Sequence, residues 1–543
     1  MSYHRRQPGG RDDRNRQYKS RFPPRHKETP PQPPESILAS LLFTIGDDNE
    51  ENSVEKNIEA LASSLESKLN QHKSILMQLF IPIVFTQPVK TSLYGTLIGL
   101  LNNRVPELGK EIVAKLCKIF QEAFDEVHPY KLRLLFRFGA ELIESNVIKS
   151  DSYVELLLKV VEQCDPDKNG KMVDTSATDS ACSARSELFL SVMLDLIPFI
   201  GKILCEHHKD NLCSILETLS QIFQKRESTL VPTQKMLTAF NQNEKAPNWL
   251  QDKWNSLVKT LTPGGNGNWA QMEIEDWDIF DELVIRPKRG YFTEALSGST
   301  TWNLEGITVP NHVMGHDYER KLSSVFRLFD SSKTEENLST SGRIIVEQYI
   351  IDLFCALNCS HKVCMKNVLK LDFNTPIEYL VVEILFGQIF ELPNPPYKQL
   401  YYEVLIVDGH KTSKSFSNAL TEAIQIIFSR LNELDTECFD RFSSWFSFHL
   451  NSIDWKWDWD SWSDVIEYPE TSHQKRFLCE VIEQCIRLSY HDKAVRTLPE
   501  KFHLLLPPRP TPTYAHANSE DASQILKKVE KRVGGDEIKE LLD

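Results

Sequence analysis

"NIEALASSLESKL", residues Asn57 to Leu69, decides the fold class of this chain. Ile58, Leu61, Leu65 and Leu69 recur at intervals of three and four, so one side of a 3.6-residue helix is apolar and the rest polar. The same spacing returns in "SLYGTLIGLLNN" with Leu93, Leu97, Leu100 and Leu101, and in "IVAKLCKIFQEAF" with Ile112, Leu116, Ile119 and Phe120. "KLRLLFRFGAELI" repeats it with Leu132, Leu135, Phe136 and Leu142. The connections are short and no β-rich, glycine-punctuated stretch intervenes. Such helices bury their stripes only by stacking on one another, so the pattern predicts an all-α fold, an α-solenoid of HEAT-like helix pairs. No strict sequence period accompanies it.

Working outward, residues 1–36 lack periodicity and carry proline pairs at Pro23, Pro30 and Pro33, the marks of a disordered basic tail. Residues 37–262 read as a first helical-repeat domain, broken by a polar loop over 164–186. The cluster "TPGGNGN", 262–268, marks its edge. Residues 263–335 read as an irregular connector and 336–500 as a second helical-repeat domain. In the latter, "NTPIEYLVVEILFGQIFELPNPP" offers Thr375 as N-cap, Pro376 at the first helical position, Glu378 to complete a capping box, and a stop at Pro393. Further helices are expected at about 397–407, 416–433, 437–450 and 473–490. Residues 501–543 read as a linker and the start of an incomplete third domain.

With 543 residues and 41% apolar side chains, two or three domains can each hold a core. No run of 18 apolar residues occurs and the basic start holds no hydrophobic segment, so neither a membrane span nor a signal peptide is expected. Eleven scattered cysteines fit a reducing, intracellular setting. The net charge of −14 is unevenly spread: nine Lys/Arg against Asp12 and Asp13 give residues 1–27 a charge of +7, leaving −21 on the remainder. A body that acidic repels a phosphate backbone over most of its surface, which argues against strong direct nucleic-acid binding. Arg5, Arg6, Arg11, Arg14, Arg16, Lys19, Arg21 and Arg25 are instead candidates for a nuclear-import signal, with weak nucleic-acid binding or a solvated arm as alternatives.

Candidate chemistry is sparse. "DPDKNGKMVDTS" places Asp165, Asp167, Asn169 and Gly170 as in a calcium loop, but Ser176 stands where a bidentate glutamate is needed. Cys355, Cys359, His361 and Cys364 could close a zinc site, yet their spacing fits no common finger and Cys355 extends an apolar stripe with Ile344, Ile351 and Phe354. Cys205, His207 and His208 fare no better. No nucleotide-binding, hydrolase, metalloprotease or kinase signature is present. No catalytic residue, cofactor or metal is expected.

"DWKWDWDSWSDV", Asp454 to Val465, is the most unusual stretch. On one continuous helix Trp455, Trp459 and Trp462 would share a face. Alternatively Ser461 caps a helix starting at Trp462, with Asp464 three residues on, and Trp455, Trp457 and Trp459 alternate in an extended lead-in. The second reading suits Asp458 and Asp460 better. Stacking platforms for single strands interleave aromatics with Lys/Arg, whereas here the partners are aspartates and one Lys456. Trp455, Trp457, Trp459 and Trp462 therefore read as core first, and as a protein-partner interface second.

The same residues carry a family likeness. "DRFSSWFSFHL", "WKWDWDSWSDV" and "FLCEVIEQCIRLSYH", between Asp440 and His491, resemble the large subunit of the nuclear cap-binding complex. So do "IEYLVVEILFGQIFELPNPP" at 377–396, "VFRLFD" at 325–330, "NIEALASSLESKL" and "YGTLIGLLNNR", and the likeness runs with gaps from about 40 to 515. The resemblance implies consecutive helical-repeat domains of the middle-domain-of-initiation-scaffold type, two complete and a third begun, in a non-catalytic nuclear scaffold that shuttles to the cytoplasm. It implies a heterodimer with a small RNA-recognition-motif subunit that holds the 7-methylguanosine cap, so capped RNA is met indirectly. It further implies importin-α as carrier, and roles in splicing, RNA export, 3′-end processing and nonsense-mediated decay. In that family the small subunit meets the second and third domains, and the import signal forms two tight clusters; here the basic residues are spread out. That spread departs from the family's import signal, and the given sequence stops where the resemblance places the third domain, so a truncated product, or altered partner binding, is expected. A cytoplasmic translation-initiation or mRNA-decay scaffold of the same repeat class is the alternative.

Overall fold

A computed structural model describes residues 34–46, 53–165, 178–229, 249–310, 326–510 and 520–539, apart from Lys68, Glu282, Arg289, 335–337, Ser339, Asp372, 374–375 and Pro393. Among these residues the regular elements are helices; one isolated bridge pairs Ile148 with Trp302. The all-α solenoid read from the stripes is what forms.

The first array comprises α1 (Pro34–Phe43), α2 (Val54–Ser67), α3 (Leu69–Thr86), α4 (Thr91–Arg104), α5 (Pro106–Asp125), α6 (Pro129–Glu144), α7 (Ser150–Gln163), α8 (Thr178–Thr229) and α9 (Trp249–Leu261). In α5, Leu108, Ile112, Leu116 and Phe120 are buried four residues apart, the expected stripe. α4 differs: every residue from Thr91 to Asn102 is buried, because α2, α5 and α6 surround it. Gly95 and Gly99 permit this, since a Cβ there would stand 2.8 Å from Cβ of Glu141 on α6 and 2.6 Å from Cβ of Ser145, which caps that helix.

Two boundaries move. α1 starts at Pro34, inside the stretch read as tail, with proline in the first turn where its missing N–H is not needed. α8 starts at Thr178, inside the stretch read as a loop. There Arg185 and Ser186 are buried, and Arg185 donates to Gln163 Oε1 at 2.7 Å, so polar residues serve the packing rather than solvent. α8 is interrupted at His208 (φ −145°) and carries Pro198. Its segment Ala184–Lys225 is long and apolar enough to cross a membrane, which the test for unbroken apolar runs missed. In the fold 83% of its most apolar window is buried, as in a core helix.

The connector folds back on the first array. Trp269, Met272, Trp277 and Phe280 are buried, and Trp277 fills the notch left by Gly201, where a Cβ would lie 2.0 Å from the indole. Asn102 Nδ2 donates to the Thr300 carbonyl at 2.9 Å and Trp302 Nε1 donates to Asn102 Oδ1 at 3.0 Å.

The second array comprises α10 (Thr340–Ala356), α11 (His361–Val368), α12 (Glu378–Ile389), α13 (Gln399–Thr412), α14 (Lys414–Ser429), α15 (Thr436–Ser452), α16 (His473–Leu488) and α17 (His491–Thr497). α12 begins at Glu378 rather than Pro376 and ends well before Pro393. Ile377 precedes it without a side-chain cap, its carbonyl accepting from Val381 N at 2.8 Å, and Thr375 lies outside the described residues.

The two arrays meet at buried charges. Asp352 on α10, fully buried, binds Arg133 and Arg137 of α6, the latter at 2.9 Å, and accepts from Gln348 Nε2 at 3.2 Å. The Arg137 guanidinium also lies 3.7 Å from the centroid of the Phe199 ring on α8. Nearby, Glu383 of α12 binds Arg343 and accepts from the backbone N–H groups of Leu328 and Phe329 at 2.8 and 3.1 Å. Burial pushes Glu347 up, but Arg327 and Arg343 outweigh it and hold the carboxyl at about 2. The apolar core runs unbroken through both arrays, from Leu38 to Phe502.

Asp352→Ala would strand two buried guanidiniums, so it should cost about 3–5 kcal/mol of stability in urea titration. Glu66→Ala, at the half-exposed pair with Arg104 (3.1 Å), should change stability by less than about 1 kcal/mol.

A second expectation concerns acid. His449, 1% exposed and stacked on Trp445, is held neutral by burial, with His410 and Lys411 adding to the effect, down to about 3. Its folded value lies below the ordinary 6.5, so its contribution is fully present above that pH and is lost as pH falls toward 3. His449→Phe should remove up to about 1.4 kcal/mol per pH unit from the stability slope between those limits, measured by denaturant titration at stepped pH.

Candidate functional site

The tryptophan stretch is built from the end of α15 onward. Asp435 caps that helix by accepting from Glu437 N at 2.8 Å, and Phe442, Trp445, Phe446 and Leu450 are buried along it. The chain then reverses through two left-handed residues, Asp454 (φ 54°) and Trp455 (φ 59°). Neither is glycine, so the turn carries backbone strain on the order of 1–3 kcal/mol per residue. Two bonds hold it: Trp455 N donates to the Leu450 carbonyl at 2.7 Å and Trp455 Nε1 donates to Asn451 Oδ1 at 3.0 Å.

A 3₁₀ helix follows from Trp459 to Glu467, starting before the expected Trp462. Ser461 is inside it, its hydroxyl donating to the Asp458 carbonyl at 2.7 Å, so it is not the cap. The indoles explain the difference. Trp462 stacks on Phe428 of α14 with ring centroids 3.9 Å apart and donates through Nε1 to Gln425 Oε1 at 2.7 Å. Trp457 meets Phe446 edge-on and Trp459 meets Phe502. Burying three large rings against four elements outweighs local capping preference. Trp455, Trp459 and Trp462 are buried and Trp457 is half-buried, which leaves little indole surface for a partner. Asp454, Asp458, Asp460 and Asp464 are all exposed on the outside of the turn.

The other candidates separate. His361 Nδ1 is bonded to Asp408, Cys364 is buried against the Leu353 carbonyl and Tyr401, and Cys359 is exposed. Burial lifts the Cys364 thiol to about 12, the opposite of a metal-ready thiolate. Among the described residues, donor atoms within 4.8 Å of one another gather only at Glu144, Glu206 and His207, all exposed. The calcium-like stretch beyond Asp165, and Arg5 to Arg25, lie outside the described residues. A cleft of about 340 Å³ between α4, α6, α8 and residues 284–296 is lined by Lys202, Arg286 and Lys288, with Glu141 and Glu144 among them. Lys202 is paired with Asp278 at 2.6 Å and Arg286 with Glu141 at 3.0 Å, so two of the three cations are already matched by acids.

What is left open is the far margin of the second array. Leu488 (58% exposed), Tyr490 (55%) and Leu504 (82%) project from α16, the start of α17 and the 3₁₀ turn after it. Beside them a groove of about 310 Å³ is lined by Glu403, Ser444, Phe448, Gln484, Arg487 and Leu488. Other large apolar side chains are exposed too, Leu400 (55%) among them, but Leu504 is the most exposed of those described and lies in the same short C-terminal stretch of the array as Leu488 and Tyr490, as expected of a surface for another protein. Sequence reasoning passed over this margin, although "LSYH" lies within it; it also missed Arg133, Arg137 and Asp352. Their signal was a charge set inside an apolar run, as in "LRLLFRF" and "YIIDLF".

Known proteins give the context. Residues 43–245 match the model of the MIF4G domain and residues 343–500 that of the MIF4G-like domain. The chain is 27% identical over 515 residues to the Nuclear cap-binding protein subunit 1 of Aedes aegypti, covering 93% of this chain and 60% of that protein. The protein of the same name from Anopheles gambiae gives 27% over 516 residues, with the same coverage. The chain thus spans about 60% of the length of these relatives.

Trp462→Ala should act on stability, costing about 3–5 kcal/mol in denaturant titration through the lost stack on Phe428 and the stranded Gln425. A variant that keeps full stability while losing only a binding activity would contradict the buried placement.

Proposed function

Since the chain belongs with the large nuclear cap-binding subunits and their MIF4G-type domains, we propose that it is a non-catalytic scaffold for a small RNA-recognition-motif subunit that holds the mRNA cap. The single observation that carries this reading is the exposed apolar margin of Leu488, Tyr490 and Leu504 beside the α13–α15–α16 groove. The small subunit docks there, and the large chain contributes no ligand to the cap. A rigid surface that buries one side of a partner lowers the ordering cost of the loops that close on its ligand, so affinity rises through preorganisation. Capped RNA is met through the partner, in keeping with the charge of −21 outside the basic start.

The two matched segments form the first and second helical-repeat domains of the scaffold. The basic start, Arg5 to Arg25, recruits importin-α, and the complex works in the nucleus, couples the cap to splicing, export, 3′-end processing and nonsense-mediated decay, and shuttles. These roles rest on the family context, not on a geometry seen here.

The test is capture of the purified small subunit by this chain, with titration of a cap dinucleotide with and without it. Capture and a rise in cap affinity are expected. Leu488→Asp with Leu504→Asp should lower capture by tenfold or more while leaving the unfolding midpoint nearly unchanged, since both positions are exposed. No capture, or capture without any gain in cap affinity, defeats the reading.

A further inference from the structure

We propose that the outer side of α11 and the adjoining α13–α14 turn form a track for the phosphate backbone of single-stranded RNA. Residues 358–371 hold His361, Lys362, Lys366 and Lys370 and no acidic residue; the next, Asp372, lies outside the described residues. Spacing by four puts Lys362 and Lys366 on one side of α11, about 6 Å apart along the helix axis, and Lys370 follows in the turn after its C-cap Leu369. All three are exposed, while Cys364, Met365 and Val368 face inward. Packing on α13 is tight, since a Cβ on Gly409 would stand 2.6 Å from Met365 Cε. The bond from His361 to Asp408 brings the first turn of α11 beside the end of α13, where exposed Lys411 and Lys414 prolong the row.

Among the described residues no acid is bonded to these lysine charges. Among the described residues none of the five lysines makes an ion pair or side-chain hydrogen bond. The acids of α13 are occupied or hidden: Asp408 holds His361, and Glu403 is buried, bonded to Gln399. Elsewhere some exposed lysines are matched, as in Lys73–Glu111, Lys131–Glu126 and Lys159–Glu155, and others, such as Lys118 and Lys456, stand singly; what sets this face apart is that its cations are grouped, with no acid from 358 to 371. Nor does helix stability account for the row. Like charges four residues apart cost a helix about 0.2–0.5 kcal/mol per pair, and Lys362 stands in the first turn, where the helix dipole disfavours a cation. Lys366 and Lys370 gain from the dipole; Lys362 does not. A concentrated cation row on a chain of charge −14 instead suits an anionic strand.

The exposed residues of α11 include no aromatic, so the track reads phosphates and not bases. Choosing RNA over an acidic peptide rests on the scaffold reading, in which a partner holds the capped end and the strand must leave along some surface.

The test uses the full chain in complex with the small subunit, and fluorescence anisotropy with a cap dinucleotide and with a capped oligonucleotide over about 50–200 mM salt. The triple variant Lys362→Gln, Lys366→Gln, Lys370→Gln should leave dinucleotide affinity unchanged. Its affinity for the oligonucleotide should fall several-fold, and the slope of log K against log salt should flatten by about 2, at roughly 0.7 per lost contact for a single strand. The Lys→Arg triple should keep the slope. An unchanged slope overturns the proposal, as does polyglutamate competing as well as RNA of equal charge, which would point to an acidic peptide. Failure of the scaffold reading shows separately, as no dinucleotide binding by the complex; the track is then read from uncapped RNA on the chain alone, with the same expected slope change.

Discussion

Placing a carboxylate where no water reaches it is so unfavourable that its partners must be in position for the fold to exist at all. Asp352 is such a group, and its partners, Arg133 and Arg137, come from the other helical array. Apolar contacts between α6, α8 and α10 would allow the arrays to slide over several similar packings, since dispersion is not directional. Two guanidiniums on successive turns of α6, sharing the two oxygens of one carboxylate, admit one register. Arg137 is fixed further by the Phe199 ring beneath it. Such a pair need not add stability over an apolar replacement, and its effect here is to fix how α6 and α10 meet.

The same device joins the connector to the second array. Glu383 takes the N–H groups of Leu328 and Phe329, which otherwise would be buried donors without acceptors, and binds Arg343 at the same time. Each of these acids sits in an apolar run, in "YIIDLF" and "VVEILF", where its charge would be intolerable alone. The register between packed helices is thus fixed at a few ionic joints, and leucine, isoleucine and phenylalanine fill the space between them.

Most of the helices were legible because apolar spacing is a local signal that any stacked helix must carry. The stripe of α5 appears as read, whereas α4 is buried all round, since the number of neighbours a helix has is not written in its own periodicity. The start of α8 was misplaced because Arg185 looks like a loop residue until Gln163 is brought beside it. The tryptophan stretch shows the same limit more sharply. Ser461 and Asp464 form an acceptable cap, but the ring of Trp462 is drawn to Phe428 and Gln425, over thirty residues earlier in the chain. The left-handed pair Asp454 and Trp455 follows from that demand, and local propensity would never choose it.

A scaffold that acts by preorganising its partner needs both a stiff body and a surface that the body does not use itself. The ionic joints supply the first, and the way the tryptophans are spent supplies the second. Because Trp455, Trp459 and Trp462 are buried in closing the end of the array, α16 and α17 are held firmly enough to present Leu488, Tyr490 and Leu504 outward without collapse onto their neighbours. Exposed apolar groups on a mobile element would fold inward, and the free energy of docking would then be spent on pulling them out again. The four aspartates of the same turn, all on its outer side, keep that end soluble and repel phosphate from it. The exposed lysines of α11 pack beside α13, whose two acids are bonded or buried: Asp408 to His361, and Glu403 within the array.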